Sequence, residues 1–253
     1  MTPPTTLIYG GSGKVAQHLI RHLLSLPLPH KIHPIVRSAS QTPALAALGA
    51  HPIVQSIETS TAEAMAATMR STSATAVIWS AGAGGGDPAR TRAVDHEGAV
   101  RCMDAAALAG VKRFVMVSAV DVRDREGGAE PEWYDEGDRE RSAGMWAKIG
   151  PYMEAKLAAD RSLVGENGRR GLEWTIVRPG GLSEEKGTGR VSAGKVHIQA
   201  RIPREDVAAV VVECLGNDGT VGLAFDVVGG ETGVKEAVGK VVEGREDTFE
   251  GRY

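Results

Sequence analysis

The chain has 253 residues, 42% hydrophobic and 24% charged, with 29 Lys+Arg against 32 Asp+Glu for a net charge of −3. That length suffices for one large α/β domain with a two-sided sheet core, and the near balance of charge excludes general nucleic-acid affinity, which needs basic patches. No apolar run approaches the length of a membrane helix, and Met1-Thr2-Pro3-Pro4 leads straight into the first apolar run, so the expectation is a cytoplasmic protein with no membrane contact, the nucleus remaining open as a second compartment.

Leu7-Ile8-Tyr9 reads as a buried parallel strand, and Val15, Leu19, Ile20, Leu23 and Leu26 recur at helical spacing with one apolar face. Between them lies Gly10-Gly11-Ser12-Gly13-Lys14-Val15-Ala16. Gly10 and Gly13 carry no Cβ, so the backbone can turn sharply and approach a ligand. The N–H groups at the helix start, aided by the helix dipole, then form a site for a pyrophosphate. The spacing is GxxGxxA rather than GxGxxG. Its place between a strand and a helix is the context a dinucleotide-binding turn requires; the alternative is a tight turn that binds nothing. On the first reading Gly10, Gly11, Ser12, Gly13, Lys14 and Val15 hold the cofactor.

Pro27-Leu28-Pro29 breaks the first helix, and His33 to Arg37 reads as the second strand. Arg37 and Ser38 stand at its C-terminal end, where a dinucleotide fold meets the adenosine ribose. An acid there accepts from the 2′-hydroxyl of NAD, whereas arginine pairs with the 2′-phosphate of NADP, so NADP(H) is expected in preference to NAD(H). Thr42 to Gly49 reads as a short helix. His51 to Val54 is a third strand leading to Gln55-Ser56-Ile57, and Thr61 to Met69 is another helix. The fourth strand, Ala76 to Gly82, ends on Ser80, Ala81 and Gly82, small residues that leave room for ribose and phosphates. Gly84 to Pro88 reads as a loop that moves in the empty protein.

Asp95 to Ala109 reads as a long helix with Val94, Met103 and Leu108 on its apolar side, and Val111 to Ser118 as the fifth strand. Cys102 and Cys214 lie in apolar helical contexts and form no CxxC; they read as free core thiols, and no metal site is expected. The segment Arg123 to Lys148, rich in charge and glycine, reads as a loop excursion over the active-site edge. A helix opens at Pro151 and runs through Leu163. Leu172 to Leu182 is a sixth strand ending in Pro179-Gly180-Gly181-Leu182. Val196-His197-Ile198, a helix from Arg204 to Leu215, a strand from Leu223 to Val228 and a helix from Val234 to Val242 follow, and the tail from Glu243 is too charged to bury much. The whole reads as one α/β domain over 1–253, a doubly wound parallel sheet with helices on both faces.

Tyr152 and Lys156 stand four residues apart on a helix and therefore share a face. A lysine ammonium beside a phenol favours the phenolate and is expected to lower the tyrosine pKa toward working pH. A phenol so tuned can pass a proton to a carbonyl oxygen while a hydride arrives from nicotinamide. Ser118, from a neighbouring strand end, is placed to hydrogen-bond the same oxygen. The alternative is an ordinary exposed Tyr–Lys pair.

Taken together these residues resemble the short-chain dehydrogenase/reductase superfamily, in its atypical branch of single-domain NAD(P)H-binding proteins. The resemblance is carried by the glycine turn, Arg37, Ser80-Ala81-Gly82, Asp95-His96-Glu97-Gly98, Gly110 to Val115 with Ser118, Tyr152 with Lys156, Thr175 to Gly180, and Ile202 to Ala208. It covers about residue 5 to residue 240 and points to no particular substrate. It implies a Rossmann fold with small C-terminal substrate-side elements, NADP(H) in the cleft, Ser118, Tyr152 and Lys156 as the catalytic set, and Pro179 to Leu182 flanking the nicotinamide. Ser56 stands where the family carries an aspartate near the adenine, so Ser56 and Ile57 are expected to line an altered adenine pocket.

The expected function is reduction of a small carbonyl or quinone-type substrate by a monomer or homodimer, with Tyr152 as proton donor. The alternative is an NADP(H)-sensing protein without turnover, a behaviour known in this branch. A sugar-nucleotide epimerase needs a larger C-terminal domain than the roughly 70 residues after Arg178 supply.

Overall fold

The computed structural model describes residues 2–84, 87–127 and 130–250. β1 (Thr5–Tyr9) enters α1 (Lys14–Leu24); β2 (Lys31–Val36), α2 (Thr42–Ala47), β3 (Ile53–Val54), α3 (Ala62–Ser71) and β4 (Ala76–Trp79) follow. Then come α4 (Pro88–Thr91), a π-helical turn at Arg92–Gly98, α5 (Ala99–Ala109), β5 (Arg113–Val117), α6 (Glu136–Gly165) and α7 (Asn167–Arg170). The chain ends with β6 (Glu173–Pro179), β7 (Leu182–Ser183), β8 (Arg190–Gly194), β9 (Ile202–Pro203), α8 (Arg204–Leu215), β10 (Leu223–Gly229), β11 (Thr232–Gly233) and α9 (Val234–Gly244).

Nine strands form one sheet in the order β11-β8-β10-β6-β5-β4-β1-β2-β3, and β7 pairs with β9 apart from it. From β3 to β10 every pairing is parallel; β8 and β11 join antiparallel at one edge. β1 lies between β2 and β4, which makes the β1/β4 boundary the point where the winding reverses and a crevice opens at the strand ends. Successive side chains of a strand face opposite sides, so each strand feeds two cores. Leu7, Tyr9, Val77 and Trp79 pack with α3, α5 and the C-terminal half of α6. Ile8, Ile78, Val115 and Val177 pack with α1, α8 and α9. The doubly wound Rossmann-like fold is therefore as expected.

Several local expectations are corrected. The excursion Arg123 to Lys148 is not one loop: α6 begins at Glu136 and runs to Gly165, broken by non-helical geometry at Ile149 just before Pro151. Its start is fixed by a reciprocal cap between Asp135 and Asp138, and Asp138 and Ser142 are buried. A charged helix lying on a neighbour carries no apolar stripe, which hid it. Leu108, expected on the apolar side, is 57% exposed, whereas Val94 and Met103 are buried. The charged tail does bury residues: Thr248 and Phe249 are 2% and 1% exposed, and the Arg178 guanidinium lies 5.1 Å over the Phe249 ring. Cys102 and Cys214 are free and buried. Of the loop Gly84 to Pro88, Gly85 and Gly86 lie outside the described residues. Among the described residues no helix is long and apolar enough to cross a membrane.

Candidate active site

The glycine turn divides its labour. Gly10 takes φ +78°, and a Cβ there would stand 2.5 Å from Ala81 Cα; one on Gly11 would stand 2.4 Å from Pro34 Cβ. These two glycines let β1 leave the sheet tightly packed between β2 and β4, so their demand comes from the protein's own packing. Gly13 is the N-cap of α1, with no side-chain cap and no acid in the first turn. The first N–H groups of a helix lack intrahelical partners. Here they open on a cleft, with room for an anion.

That cleft, of about 480 Å³, lies across the C-terminal ends of β1, β4, β5 and β6. Gly13, Lys14 and Val15 form one wall; Ser80, Ala81 and Gly82 the floor beneath them. Ser118, Tyr152 and Lys156 form the opposite wall, and Pro179 to Leu182 close the end. Val120, Met145 and Ile149 make the remaining surface largely apolar. At its mouth Glu184 bridges Lys14 Nζ at 2.8 Å and Arg204 Nη1 at 2.7 Å.

Lys156 Nζ is buried 5.7 Å from the Tyr152 ring centre. It donates to Val117 O at 3.2 Å and Ala81 O at 3.4 Å, and stands 3.3 Å from Asp95 Oδ1. Asp95 also accepts from Ala83 N at 2.8 Å, tying the π-helical turn to the floor. Ser118 Oγ donates to Asp160 Oδ2 at 2.8 Å.

The expected lowering of the Tyr152 pKa is not found. Burial raises it more than the Lys156 charge lowers it, and Asp95 and Asp160 add to the rise. Removing a phenolate from water costs more than one ammonium nearby returns. The Lys156 pKa rises as well: burial alone favours the neutral amine, but the negative charges that Tyr152, Asp95 and Asp160 can carry outweigh it. The pair is thus a neutral phenol beside a firmly charged ammonium.

A smaller recess of about 130 Å³ adjoins the cleft at Ala81 and Gly82. It holds Gly10, Ser12, Arg37 and Ile57 of the expected set, together with Glu58 and Arg90. Gly11, Ser38 and Ser56 line neither space. Ser38 is spent on its own turn, where its hydroxyl accepts from Ser40 N. Ser56 contributes its carbonyl to Ser60 N at 3.0 Å.

Four acids at the site were missed in the sequence: Asp95, Asp160, Glu58 and Glu184. Asp160 carried a usable signal, since residues 152, 156 and 160 share one helix face. The other three meet their partners only through the fold.

Residues 10–218 match the sequence model of a family described as NAD(P)H-binding. A Bacillus subtilis protein named as an uncharacterized sugar epimerase is 36% identical over 235 residues, covering 92% of this chain and 98% of its own. A Schizosaccharomyces pombe protein of the group UPF0659 is 35% identical over 240 residues, covering 94% and 95%. Among solved structures, the oxidoreductase ylbE of Lactococcus lactis superposes with a TM-score of 0.76 at 28% identity, covering 94% of this chain and 97% of that one.

Proposed function

The chain belongs to the NAD(P)H-binding family, and on that footing we propose that it is an NADP(H)-dependent oxidoreductase reducing a small carbonyl or quinone-type substrate, with Tyr152 as proton donor. The observation that carries this reading is one wall of one cleft. Tyr152 and the buried, charged Lys156 face the uncapped start of α1 across a space of about 480 Å³. The cradle at Gly13 fits a dinucleotide pyrophosphate, with Lys14 and Arg204 nearby as cations. Arg37 supplies the positive charge for a 2′-phosphate. The cofactor, when bound, supplies the hydride.

Lys156, cationic and fixed by two carbonyls and Asp95, orients what lies beside it. Tyr152 keeps its proton because burial raises its pKa. That favours the reductive direction: an alkoxide developing on the substrate is a far stronger base than a phenolate and takes the proton readily. Ser118 donates to Asp160 in this structure; rotated toward the cleft, the same hydroxyl can donate to the substrate oxygen. The apolar surface of Val120, Met145 and Ile149 suits a carbonyl on a flat or aliphatic body better than a sugar nucleotide, which needs many polar partners.

The test replaces Tyr152 by Phe. Turnover of a quinone or carbonyl panel with NADPH is expected to fall by about 10²-fold or more while NADPH affinity changes little. Turnover that survives the change overturns the assignment. NADPH binding by the wild type without turnover of any acceptor supports the sensing alternative.

A further inference from the structure

In the recess at the end of β2, Arg37 does not stand alone. Its Nη1 lies 3.6 Å from Glu58 Oε1, and the same oxygen accepts from Arg90 Nε at 3.1 Å. Arg90 is held in place by a further hydrogen bond from its Nη1 to Ala83 O. The backbone beneath Arg37 is fixed as well: Gln41 Oε1 accepts from Arg37 N and Ser38 N, both at 3.1 Å, and Gln41 Nε2 donates to Ser12 Oγ at 2.8 Å. The recess therefore sets two guanidinium groups about one carboxylate on a hydrogen-bonded backbone.

We propose that Glu58, seated between Arg37 and Arg90, is the residue that sets how strongly this chain discriminates a 2′-phosphorylated from an unphosphorylated adenosine dinucleotide. The proposal rests on the reading that the cleft holds a nicotinamide dinucleotide. A 2′-phosphate approaching Arg37 competes with Glu58 for the same guanidinium, and its own negative charge meets the carboxylate at short range. A 2′-hydroxyl meets the opposite situation, since a carboxylate accepts its hydrogen bond. Arg37 thus admits NADP(H), and Glu58 restrains that preference while keeping NAD(H) in play. Glu58 is 33% exposed and Arg37 62%, so the contest takes place partly in water and weakens as salt rises.

The test is calorimetric titration of the purified full chain with NADPH and with NADH, at low and at raised ionic strength, for the wild type, Glu58→Gln and Arg37→Gln. Glu58→Gln is expected to tighten NADPH about fivefold or more at low salt without tightening NADH, and the shift shrinks at high salt. Arg37→Gln moves the ratio the other way. If wild type and Glu58→Gln both bind and their NADPH-to-NADH affinity ratios agree within about twofold, Glu58 is not the determinant, while the cofactor reading stands. If the wild type binds neither dinucleotide, both fall.

Discussion

Ser118 Oγ and Asp160 Oδ2 are joined by a 2.8 Å hydrogen bond behind the wall of the cleft that carries Tyr152 and Lys156, with Ser118 3% and Asp160 0% exposed. Burial pushes the Asp160 carboxyl up to about 6, against the lowering effects of Arg178, the Ser118 hydroxyl and Lys156, with Asp226 adding to the rise. The folded pKa is above the ordinary 3.8, so between about pH 4 and about pH 6 the native state holds a proton that the unfolded chain has lost. Stability contributed by this group is complete below that window, falls as pH rises through it and is flat above it. Asp160→Asn removes this contribution to the slope. Urea unfolding of wild type and variant across that range checks this, and identical pH slopes would contradict it.

Gly10 and Gly110 both take positive φ, +78° and +76°, but only Gly10 is crowded. Gly110→Ala meets nothing within 4 Å and is expected to cost about 1 kcal/mol for the left-handed backbone alone. Gly10→Ala adds a collision with the Ala81 backbone at 2.5 Å, which must part β1 from β4, and is expected to cost about 3 kcal/mol or more. Denaturant midpoints of the two variants measure the difference directly.

His197 Nδ1 donates to Asp138 Oδ2 at 2.6 Å, and Asp138 Oδ1 accepts from Ile198 N at 2.9 Å. This ties the start of α6 to the segment after β8. The hydrogen bond to Asp138, with its charge behind it, raises the His197 pKa. The tether is therefore complete below the ordinary histidine range and loosens as pH rises through the raised value. Asp138→Asn is expected to bring the His197 titration back toward 6.5, as followed by the imidazole proton resonances; an unmoved titration rules the pairing out.

Arg178 Nε stands 3.3 Å from Asp226 Oδ1, both nearly inaccessible. Arg178→Met keeps an apolar side chain of similar length but removes the guanidinium that faces the buried carboxylate and lies over Phe249. Breaking a buried pair in this way costs about 3–5 kcal/mol, readable as a lowered urea midpoint. A change under about 1 kcal/mol would show that the pair is unimportant.

The parts of the site that lie along the chain were legible in it. The strand, glycine turn and helix from Thr6 to Leu24 are contiguous, Arg37 follows from the end of a strand, and Tyr152 with Lys156 from helical spacing. What escaped was long-range. Glu58 is 21 residues from Arg37 and 32 from Arg90 in sequence, and only the return of β3 beside β2 brings them together. The Tyr152 pKa was read from Lys156 alone, because sequence shows a neighbouring charge but not the loss of water around it. The first half of α6 was read as a loop because composition carries no trace of Asp138 seated against Ile198, although an aspartate three residues after another, at the start of a charged run, is a capping signature.

The most direct measurement is a binding titration of the purified protein with NADPH and with NADH. Binding of both, NADPH the tighter, is predicted from the uncapped start of α1 and from Arg37. Equal affinities would remove Arg37 from the 2′-phosphate site, and binding of neither would contradict the account and leave a Rossmann-shaped protein whose cleft serves another ligand.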